Sequence, residues 1–233
     1  MCPLNIKTLI MVTANDYPMM KVWLPSLLEK GNYTGDILII NYDLKPESVK
    51  QLQTYPNIII ANPVGERQVI TDDRFHSFTE ALMKIYTNYD VVMWIDGNDV
   101  EFRGSLDQLF EIAKDRVCYV VEDHINQDWI LGYDLSRQII KDGRLMWDAI
   151  KFRLIVNCGM VVGPAKTMMM IVKWISDRVI DNFGSDQFLL NALVYLYDMF
   201  GDPHGEVEKK WNYDARGKDI TQVYSEAVVV HRI

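Results

Sequence analysis

Three carboxylates follow directly after a short apolar run near the middle of the chain. Val91–Ile95 has the composition of a buried strand, and Asp96, Asp99 and Glu101 come within six residues of its end. Clustered negative charge at the end of a buried strand is costly unless a cation or strong hydrogen-bond donors neutralise it. Mg²⁺ and Mn²⁺ prefer oxygen ligands of this kind and often bind phosphate groups as well. We therefore interpret this segment as a candidate metal site for a phosphate-bearing ligand.

The spacing of these acids allows more than one pairing. Side chains two positions apart share a face of an extended chain, which would pair Asp96 with Asn98 and Asp99 with Glu101. Asp96 and Asp99 converge only if the chain turns between them, and the dipeptide Gly97-Asn98 permits such a turn. The alternative is a turn that binds no ligand, because Asp, Gly and Asn are common turn residues.

The acids lie in a chain that alternates between strand and helix patterns. Apolar, β-rich runs predict strands at residues 7–12, 36–41, 57–61, 91–95, 117–122, 154–162 and 222–230. The segments between them predict helices at residues 18–30, 46–54, 72–88, 105–114, 165–181 and 185–197. This alternation is typical of an α/β protein. We predict one open, mixed, mainly parallel sheet with helices on both faces.

The position of Asp96 in this order favours a functional role. Ligands of open parallel sheets bind outside the carboxyl ends of the strands, and Asp96 follows such an end. Residues 123–151 show no clean period, which predicts loops and short helices that form a lid or an acceptor wall. Residues 200–219 are predicted to be loop-like. No repeat or linker divides the chain, so residues 1–233 are predicted to form one domain.

Composition narrows the class of protein. The net charge of -8 argues against binding to nucleic acid and against docking on anionic membranes. It does not exclude an anionic nucleotide, because a divalent metal can reverse the local charge. The three cysteines are widely spaced and form no CxxC pair, so neither a disulfide framework nor a zinc site is expected. We expect a soluble cytoplasmic protein without a transmembrane anchor.

Several segments, taken in chain order, resemble glycosyltransferases of the GT-A fold. In that family a hydrophobic strand runs into a DxD motif that holds a nucleotide-sugar and its metal. Residues 91–99 resemble this arrangement, with an apolar run followed by acidic residues. Residues 11–17 (Met-Val-Thr-Ala-Asn-Asp-Tyr) are similar to the segment that holds the base and ribose in glycogenin-like enzymes. Residues 157–161 (Asn-Cys-Gly-Met-Val) resemble their Asn-Ser-Gly strand beside the donor sugar, and residues 184–187 their Asp-Gln helix start. Residues 228–231 resemble the terminal strand whose histidine completes the metal shell.

The resemblance implies a Rossmann-like GT-A sheet and a metal-dependent transferase. Such an enzyme would move a sugar from a nucleotide-sugar, a UDP-sugar by preference, to a hydroxyl of a glycan or other acceptor. The residues that it implies for nucleotide-sugar binding are Thr13, Ala14, Asn15, Tyr17, Asp96, Gly97, Asn98, Asn157, Gly159 and Gln187. The residues that it implies for binding Mn²⁺ or Mg²⁺ are Asp96, Asp99 and His231.

Two departures from the family pattern affect these assignments. The motif here is Asp96-Gly97-Asn98-Asp99, one residue longer than Asp-any-Asp, so that either Asn98 or Asp99 takes the second position. The glycine and the lysine-proline pair that follow the histidine in glycogenin-like enzymes are absent. Without that lysine, other cations of this chain would have to neutralise the diphosphate.

Arg67 and Arg74 are candidates for that neutralisation, because they lie before or within the predicted helix that leads to the acidic strand, and a cation there could reach the diphosphate. The alternative for either residue is an exposed position on a helix surface. For His231 the alternative to metal binding is a buried structural histidine or a frayed terminal one.

Asp186 would lie beside the sugar, either binding its hydroxyls or attacking the anomeric carbon of a retaining enzyme. Its alternative is a cap in the first turn of a helix. An inverting enzyme needs a general base on the acceptor side, for which Asp123, Glu122 and, less favourably, His124 are candidates. Trp129, Trp147 and Trp211 could stack on acceptor sugars, although core packing is the usual role of tryptophan.

Two other function classes compete with this hypothesis. A sugar-phosphate nucleotidyltransferase shares the sheet architecture but needs a glycine-rich, basic loop after the first strand, where this chain has Thr13-Ala14-Asn15-Asp16. A non-catalytic module that binds a nucleotide-sugar, or a scaffold of the same fold, would show the same binding motifs without turnover. A phosphatase with an aspartyl nucleophile would need its acidic motif after the first strand, where none occurs.

Overall fold

The apolar runs of the chain assemble into one large sheet and one small sheet. A computed structural model describes residues 6–64, 70–137, 140–215 and 227–231. Its strands, in chain order, are β1 (Thr8–Asn15), β2 (Asp36–Asp43), β3 (Ile58–Ala61), β4 (Val91–Ile95), β5 (Val100–Phe102), β6 (Val117–Ile125), β7 (Leu154–Pro164), β8 (His204–Glu206), β9 (Tyr213–Asp214) and β10 (Val229–His231).

The large sheet is mixed and mainly parallel, as predicted. Its seven strands lie in the order β3-β2-β1-β4-β7-β6-β8. β3, β2, β1 and β4 run parallel to one another, whereas β7 is antiparallel to both of its neighbours, β4 and β6. Because β7 runs back along β4, its residue Met160 lies opposite Ile95 at the carboxyl end of β4. This reversal brings the segment around Asn157 to the edge where the acids follow β4.

Helices cover both faces of the large sheet. They are α1 (Asp16–Pro18), which continues through π-helical Met19–Trp23 into α2 (Leu24–Glu29), α3 (Pro46–Leu52), α4 (Ile70–Ile85), α5 (Asp107–Ala113), α6 (Ile130–Arg137), α7 (Gly143–Ile150), α8 (Ala165–Ser176) and α9 (Ser185–Tyr195). Side chains along β1 alternate between two separate cores. Leu9 and Met11 pack with residues of α4, α8 and α9, whereas Ile10 and Val12 pack with residues of α2 and α5.

The small sheet joins the end of the described chain to the acidic segment. β10 is antiparallel to β5 and parallel to β9. The predicted strand at residues 222–230 is described only from residue 227 onward, and residues 222–226 lie outside the described ranges. β5, β8 and β9 were not predicted, because strands of two or three residues are too short to show a periodic pattern.

The segments between the strands differ little from their predictions. Residues 123–151 contain the short helices α6 and α7, as expected, whereas residues 200–219 contain β8 and β9 where only loop was predicted. Cys118 and Cys158 are buried free thiols, and Cys2 lies outside the described residues. None of the described helices is both long and apolar enough to cross a lipid bilayer.

Candidate functional site

The chain bends sharply where β4 ends. Gly97 follows Asp96 at this bend, and a Cβ atom at Gly97 would overlap the carbonyl oxygen of Thr13 and lie 2.7 Å from Cγ2 of Val12. Gly97 is therefore required for the close approach of the bend to β1. Asn98 is exposed on the outside of the bend, whereas Asp99 is half-buried. The predicted turn between Asp96 and Asp99 is present, and it directs Asp99 rather than Asn98 toward Asp96.

Asp96, Asp99 and His231 form a cluster that could hold one metal ion. Each offers a ligand atom, and these atoms all lie within 4.8 Å of one another. Strand pairing explains the convergence, because β10 places His231 opposite Val100, the residue after Asp99. Two carboxylates and one imidazole suit Mn²⁺ better than Mg²⁺, since Mg²⁺ strongly prefers oxygen ligands.

The state of His231 supports a ligand at this cluster. The side chain is 9% exposed, and its Nδ1 lies 3.9 Å from Oδ2 of Asp96. Its Nε2 is buried and has no hydrogen-bond partner among the described residues. Buried polar atoms are almost always paired, so this imidazole nitrogen is a candidate for binding a ligand. A metal bound through Nε2 would satisfy it.

The environment of the Asp99 carboxyl group would also favour a bound cation. Burial raises the pKa of the Asp99 carboxyl, His231 opposes the shift, and the negative charge of Asp96 adds to it. The ionised form of Asp99 is thus disfavoured in the protein alone, and a bound cation would favour it. Glu101 does not share this site. It is 7% exposed on β5 and forms ion pairs with Lys30 and Arg103 at 3.3 and 3.2 Å.

Arg74 bridges two acids of the site. It extends from α4, is 3% exposed, and pairs through Nη1 with Asp96 and through Nη2 with Oδ2 of Asp186 at 2.9 Å. Nη2 also donates to the carbonyl oxygen of Cys158 at 3.3 Å. Burial works against the charged form, but Asp96 and Asp186 outweigh it and raise the pKa of Arg74. Arg74 is thus a buried bridge and not an exposed arginine on the helix surface, and because it also lines the cavity its contact with a diphosphate stays a prediction. Arg67 lies outside the described residues.

Asp186 makes a hydrogen bond at the start of a helix, and its role beside a sugar stays a prediction. It is 4% exposed in the first turn of α9, and its Oδ1 accepts a hydrogen bond from the backbone N–H of Gln187 at 2.7 Å. Its Oδ2 accepts from Arg74, and Asp186 lines the same cavity as Asp96, Asp99 and His231. Burial raises the pKa of the Asp186 carboxyl, Arg74 opposes this shift, and Asp96 adds to it.

The first residues of β7 form the floor between these acids. A Cβ atom on Gly159 would lie 2.6 Å from Cε1 of His231 and 2.7 Å from Oδ2 of Asp96. The backbone carbonyl of Gly159 accepts from the N–H of Asp96 at 2.9 Å. Asn157 Oδ1 accepts from the N–H of Gly159 at 2.7 Å, and its Nδ2 donates to Oε1 of Glu122 at 2.8 Å. Only glycine fits at position 159 without displacing His231 or Asp96.

These side chains open into a cavity of about 360 Å³, which we call the first cavity. Its lining includes eight of the predicted site residues: Arg74, Asp96, Asp99, Asn157, Gly159, Asp186, Gln187 and His231. The rest of its lining consists of Thr71, Glu122, Trp129, Ile155, Cys158, Phe183, Gly184, Asn212 and Asp214. Asn212 and Asp214 were missed because they lie in the segment predicted as loop, where no sequence pattern marks them.

The residues predicted to hold the nucleoside lie at the same sheet edge but outside the first cavity. Thr13 and Ala14 are buried at the end of β1, Asn15 is half-buried, and Tyr17 is 71% exposed. β1 is the parallel neighbour of β4, and the carbonyl oxygen of Thr13 abuts Gly97. This segment is adjacent to the cluster of Asp96, Asp99 and His231, but none of its side chains lines the first cavity.

A larger cavity of about 640 Å³ adjoins the first, and we call it the second cavity. The two share a wall made of Glu122, Trp129, Ile155, Asn157, Asn212 and Asp214. Asp123 and His124 line only the second cavity, and Asp123 forms an ion pair with Lys209. Of the three candidate stacking residues, Trp147 and Trp211 are buried at 8% and 3% exposure, and only Trp129 lines a cavity described here.

Comparison with known proteins adds no family to these observations. No protein-family model matches the chain, and no curated protein is similar to it in sequence. The structure itself is α/β, with a seven-stranded, mostly parallel mixed sheet and an Asp-Asp-His cluster at the carboxyl end of β4.

Proposed function

We propose that the protein is a metal-dependent glycosyltransferase of the GT-A type, which transfers a sugar from a UDP-sugar to a hydroxyl of a glycan or other acceptor. The observation that carries the proposal is the convergence of Asp96, Asp99 and His231 on one cavity. These residues come from segments more than 130 positions apart in the chain, and the orphaned Nε2 of His231 points to a ligand there. The mixed sheet and the position of the cluster after a central strand also support it.

The residues of the first cavity have separate roles under this proposal. Asp96, Asp99 and His231 would hold Mn²⁺ or Mg²⁺, which neutralises the charge that develops on a departing nucleoside diphosphate. Arg74 fixes the orientation of Asp96, because its guanidinium group is held between Asp96 and Asp186.

Asp186 is better placed to orient the donor sugar than to attack it. One of its oxygens accepts from Arg74 and the other from the N–H of Gln187, and these two hydrogen bonds make the carboxylate a weaker nucleophile. A carboxylate held in this way can still accept hydrogen bonds from sugar hydroxyls through its remaining lone pairs. We therefore assign sugar binding to Asp186 in place of a nucleophilic role.

Glu122 and Asp123 are the candidate bases for the acceptor hydroxyl. Glu122 lines both cavities and accepts a hydrogen bond from Asn157, whereas Asp123 lines only the second cavity. A base must reach the acceptor hydroxyl where that group meets the donor. Glu122, at the shared wall, satisfies this condition more directly than Asp123.

Thermal unfolding with UDP and Mn²⁺, together and apart, tests the proposal. A ligand at a hundredfold excess over its Kd stabilises a protein by about 2.7 kcal/mol. We expect a clear rise in Tm with UDP plus Mn²⁺, and only a small rise with UDP alone. The Asp99→Asn variant should lose the metal-dependent part, whereas Asp148→Asn, which alters an exposed carboxylate on α7, should keep it. The absence of any metal-dependent shift with nucleoside diphosphates would overturn the proposal.

A binding module without turnover is the second candidate. The observation that favours it is the engagement of Asp186 by Arg74 and Gln187, because these hydrogen bonds weaken one potential nucleophile. UDP release from UDP-sugars, followed with and without a panel of sugar acceptors, distinguishes the two. A protein that binds UDP and Mn²⁺ but releases no UDP under any of these conditions is a module, whereas metal-dependent release identifies a transferase.

A further inference from the structure

The carboxamide of Asn157 has one favourable orientation in the wall between the two cavities. The backbone N–H of Gly159 meets it at 2.7 Å, and a backbone N–H can only donate, so the atom that it meets is Oδ1. At the other end of the carboxamide, Oε1 of Glu122 accepts at 2.8 Å, so the atom facing it is Nδ2. A rotated carboxamide would bring donor against donor at Gly159 and acceptor against acceptor at Glu122.

Asn212 supports this orientation from a third direction. Its Nδ2 donates to the same Oδ1 of Asn157 at 2.9 Å, so that this oxygen accepts two hydrogen bonds. A carbonyl oxygen has two lone pairs, and both are then used. Asn212 is 5% exposed, so bulk water cannot easily replace its hydrogen bond. The side chain of Asn212 thus helps to leave Nδ2 of Asn157 directed at Glu122.

The backbone of Asn212 is tied to the strand that carries His231. The N–H of Asn212 donates to the carbonyl oxygen of Lys209 at 3.0 Å, which closes a short helical turn. β9 begins at the next residue, Tyr213, and pairs with β10, where Asp214 lies opposite His231. The position of Asn212 therefore follows the position of this candidate metal ligand.

Hydrogen bonds through Gly159 connect the same carboxamide to the acidic end of β4. The carbonyl oxygen of Gly159 accepts from the N–H of Asp96 at 2.9 Å, and the N–H of Gly159 donates to Asn157. One hydrogen-bonded framework thus joins Asp96, a candidate metal ligand, to Glu122, the candidate base. Transfer requires the base and the bound donor to be held in register, because small displacements of reacting groups slow a reaction strongly.

We propose that Asn212 is a positioning residue for the transfer, which acts through Asn157 to hold the carboxylate of Glu122 in place as the base. The proposal rests on the proposed function, because it takes the first cavity as the donor site.

The base has a defined part in this reaction. The acceptor oxygen bonds to the anomeric carbon while the bond from that carbon to the diphosphate oxygen breaks. The electron pair of the broken bond leaves with the nucleoside diphosphate, and the hydroxyl proton passes to the carboxylate of Glu122. The hydrogen bond from Asn157 to Oε1 restricts rotation of this carboxylate away from the hydroxyl.

Turnover and binding by Asn212 variants test this role. UDP release from a panel of UDP-sugars is followed with Mn²⁺, with and without sugar acceptors, and with the protein in excess so that slow variants remain measurable. Asn212→Ala removes the donor, and we expect it to slow release at saturating UDP-sugar by about tenfold or more. The Kd for UDP with Mn²⁺ should change by less than about twofold, since the donor site keeps its contacts. Asn212→Asp keeps the shape of the side chain but replaces the donor with an oxygen, and should slow release at least as much.

A double-mutant cycle with Glu122→Gln distinguishes positioning of the base from a general structural effect. Glu122→Gln alone should slow release by about a hundredfold or more. If Asn212 acts through the base, Asn212→Ala should change the rate by less than about twofold in the Glu122→Gln background. A purely structural role would slow both backgrounds by the same factor. Asn88→Ala, at an exposed position outside both cavity linings, is the control and should leave the rate unchanged.

The outcomes separate this inference from the proposed function. If the wild-type protein shows no metal-dependent UDP release, the transferase is overturned and this inference with it. If the wild-type protein releases UDP, an unchanged rate in Asn212→Ala or in Glu122→Gln overturns the inference alone. An equal loss of rate in both backgrounds of the cycle, or a loss of UDP binding in Asn212→Ala, also overturns it and leaves the transferase standing.

Discussion

Gly159 shows how closely the metal cluster is packed against its floor. Its backbone lies against His231 and Asp96, so the smallest added side chain would enter the space between the two predicted ligands. The φ angle of Gly159 is not in the left-handed region. Glycine is therefore required here because two functional side chains approach the backbone. A close approach also explains Gly97, but there the neighbouring atoms belong to Val12 and Thr13 of β1.

The Gly159→Ala variant should therefore lose metal binding. The new methyl group would displace His231 or Asp96, and we expect the Mn²⁺-dependent rise in Tm with UDP to disappear. Overpacking of this kind also costs about 1–3 kcal/mol of unfolding free energy. Gly104→Ala is the matched control, because its Cβ would contact only Val228, at 3.5 Å or more. Full metal-dependent stabilisation in Gly159→Ala would contradict the position of the cation.

The second ligand of the acidic motif can be assigned by a pair of variants. Asn98 is exposed, whereas Asp99 is half-buried within reach of Asp96 and His231. We expect Asp99→Asn to weaken Mn²⁺ binding by about tenfold or more, and Asn98→Ala to leave it nearly unchanged. Calorimetric titration with Mn²⁺ in the presence of UDP measures both. If Asn98→Ala weakened Mn²⁺ binding more than Asp99→Asn, the second motif position would belong to Asn98, as in Asp-any-Asp, and the assignment of Asp99 would be wrong.

Arg74 connects three elements of the fold through one guanidinium group. From α4 it reaches Asp96 after β4, the carbonyl of Cys158 in β7, and Asp186 in the first turn of α9. The contacts from Arg74 hold the sheet edge and the first turn of α9 at a fixed separation. The site is consequently sensitive to a residue that need not contact any substrate.

Replacement of Arg74 by methionine should be strongly destabilising. It would leave the carboxylate of Asp186 buried without its cation, and removal of one partner from a buried ion pair typically costs about 3–5 kcal/mol. Lys84→Met on the same helix is the control, since Lys84 pairs with Glu80 on the surface and should contribute about 0.5 kcal/mol or less. Urea denaturation measures both values. A loss below about 1 kcal/mol in Arg74→Met would show that the bridge is not a structural requirement.

Buried tyrosines set the behaviour of the whole molecule in alkaline solution. Burial raises the pKa of Tyr119 to about 12, and nearby Tyr195 and Glu206 add to the shift. Burial likewise raises the pKa values of Tyr33 and Tyr89 above their usual range. The folded protein therefore keeps protons that the unfolded chain releases near pH 10. The resulting stability is fully present below pH 10 and is lost as the pH rises toward 12.

We predict that the free energy of unfolding falls steeply between about pH 10 and 12. Tyr119 alone should account for a decrease on the order of 2–3 kcal/mol. Tyr119→Phe should make the fall shallower, although it also removes the hydrogen bond to Nδ1 of His204 at 3.0 Å and costs about 1 kcal/mol at neutral pH. Tyr17→Phe, at an exposed position, should leave the pH profile unchanged. An identical slope in wild type and Tyr119→Phe would contradict the prediction.

Local patterns were sufficient for most of the large sheet. Val91–Ile95 was predicted with the bounds that the structure shows, because a buried central strand is a continuous apolar run that ends at polar residues. The same reasoning marked Asp96 and the glycine bend after it. β5, β8 and β9 were not predicted, since two or three residues carry too little periodic signal and form strands only through their partners.

The sequence by itself determined the order of strands and helices, the acid-rich end of β4 and the residue types available for a metal. The tertiary structure decided which of them meet. The reversal of β7 brought Asn157 and Gly159 to the metal cluster, and pairing of β10 with β5 placed His231 beside Asp99. It also placed Arg74 as a buried bridge between Asp96 and Asp186 and not on an exposed helix surface. Such contacts join residues far apart in the chain, so they depend on packing and strand register, which no local pattern encodes.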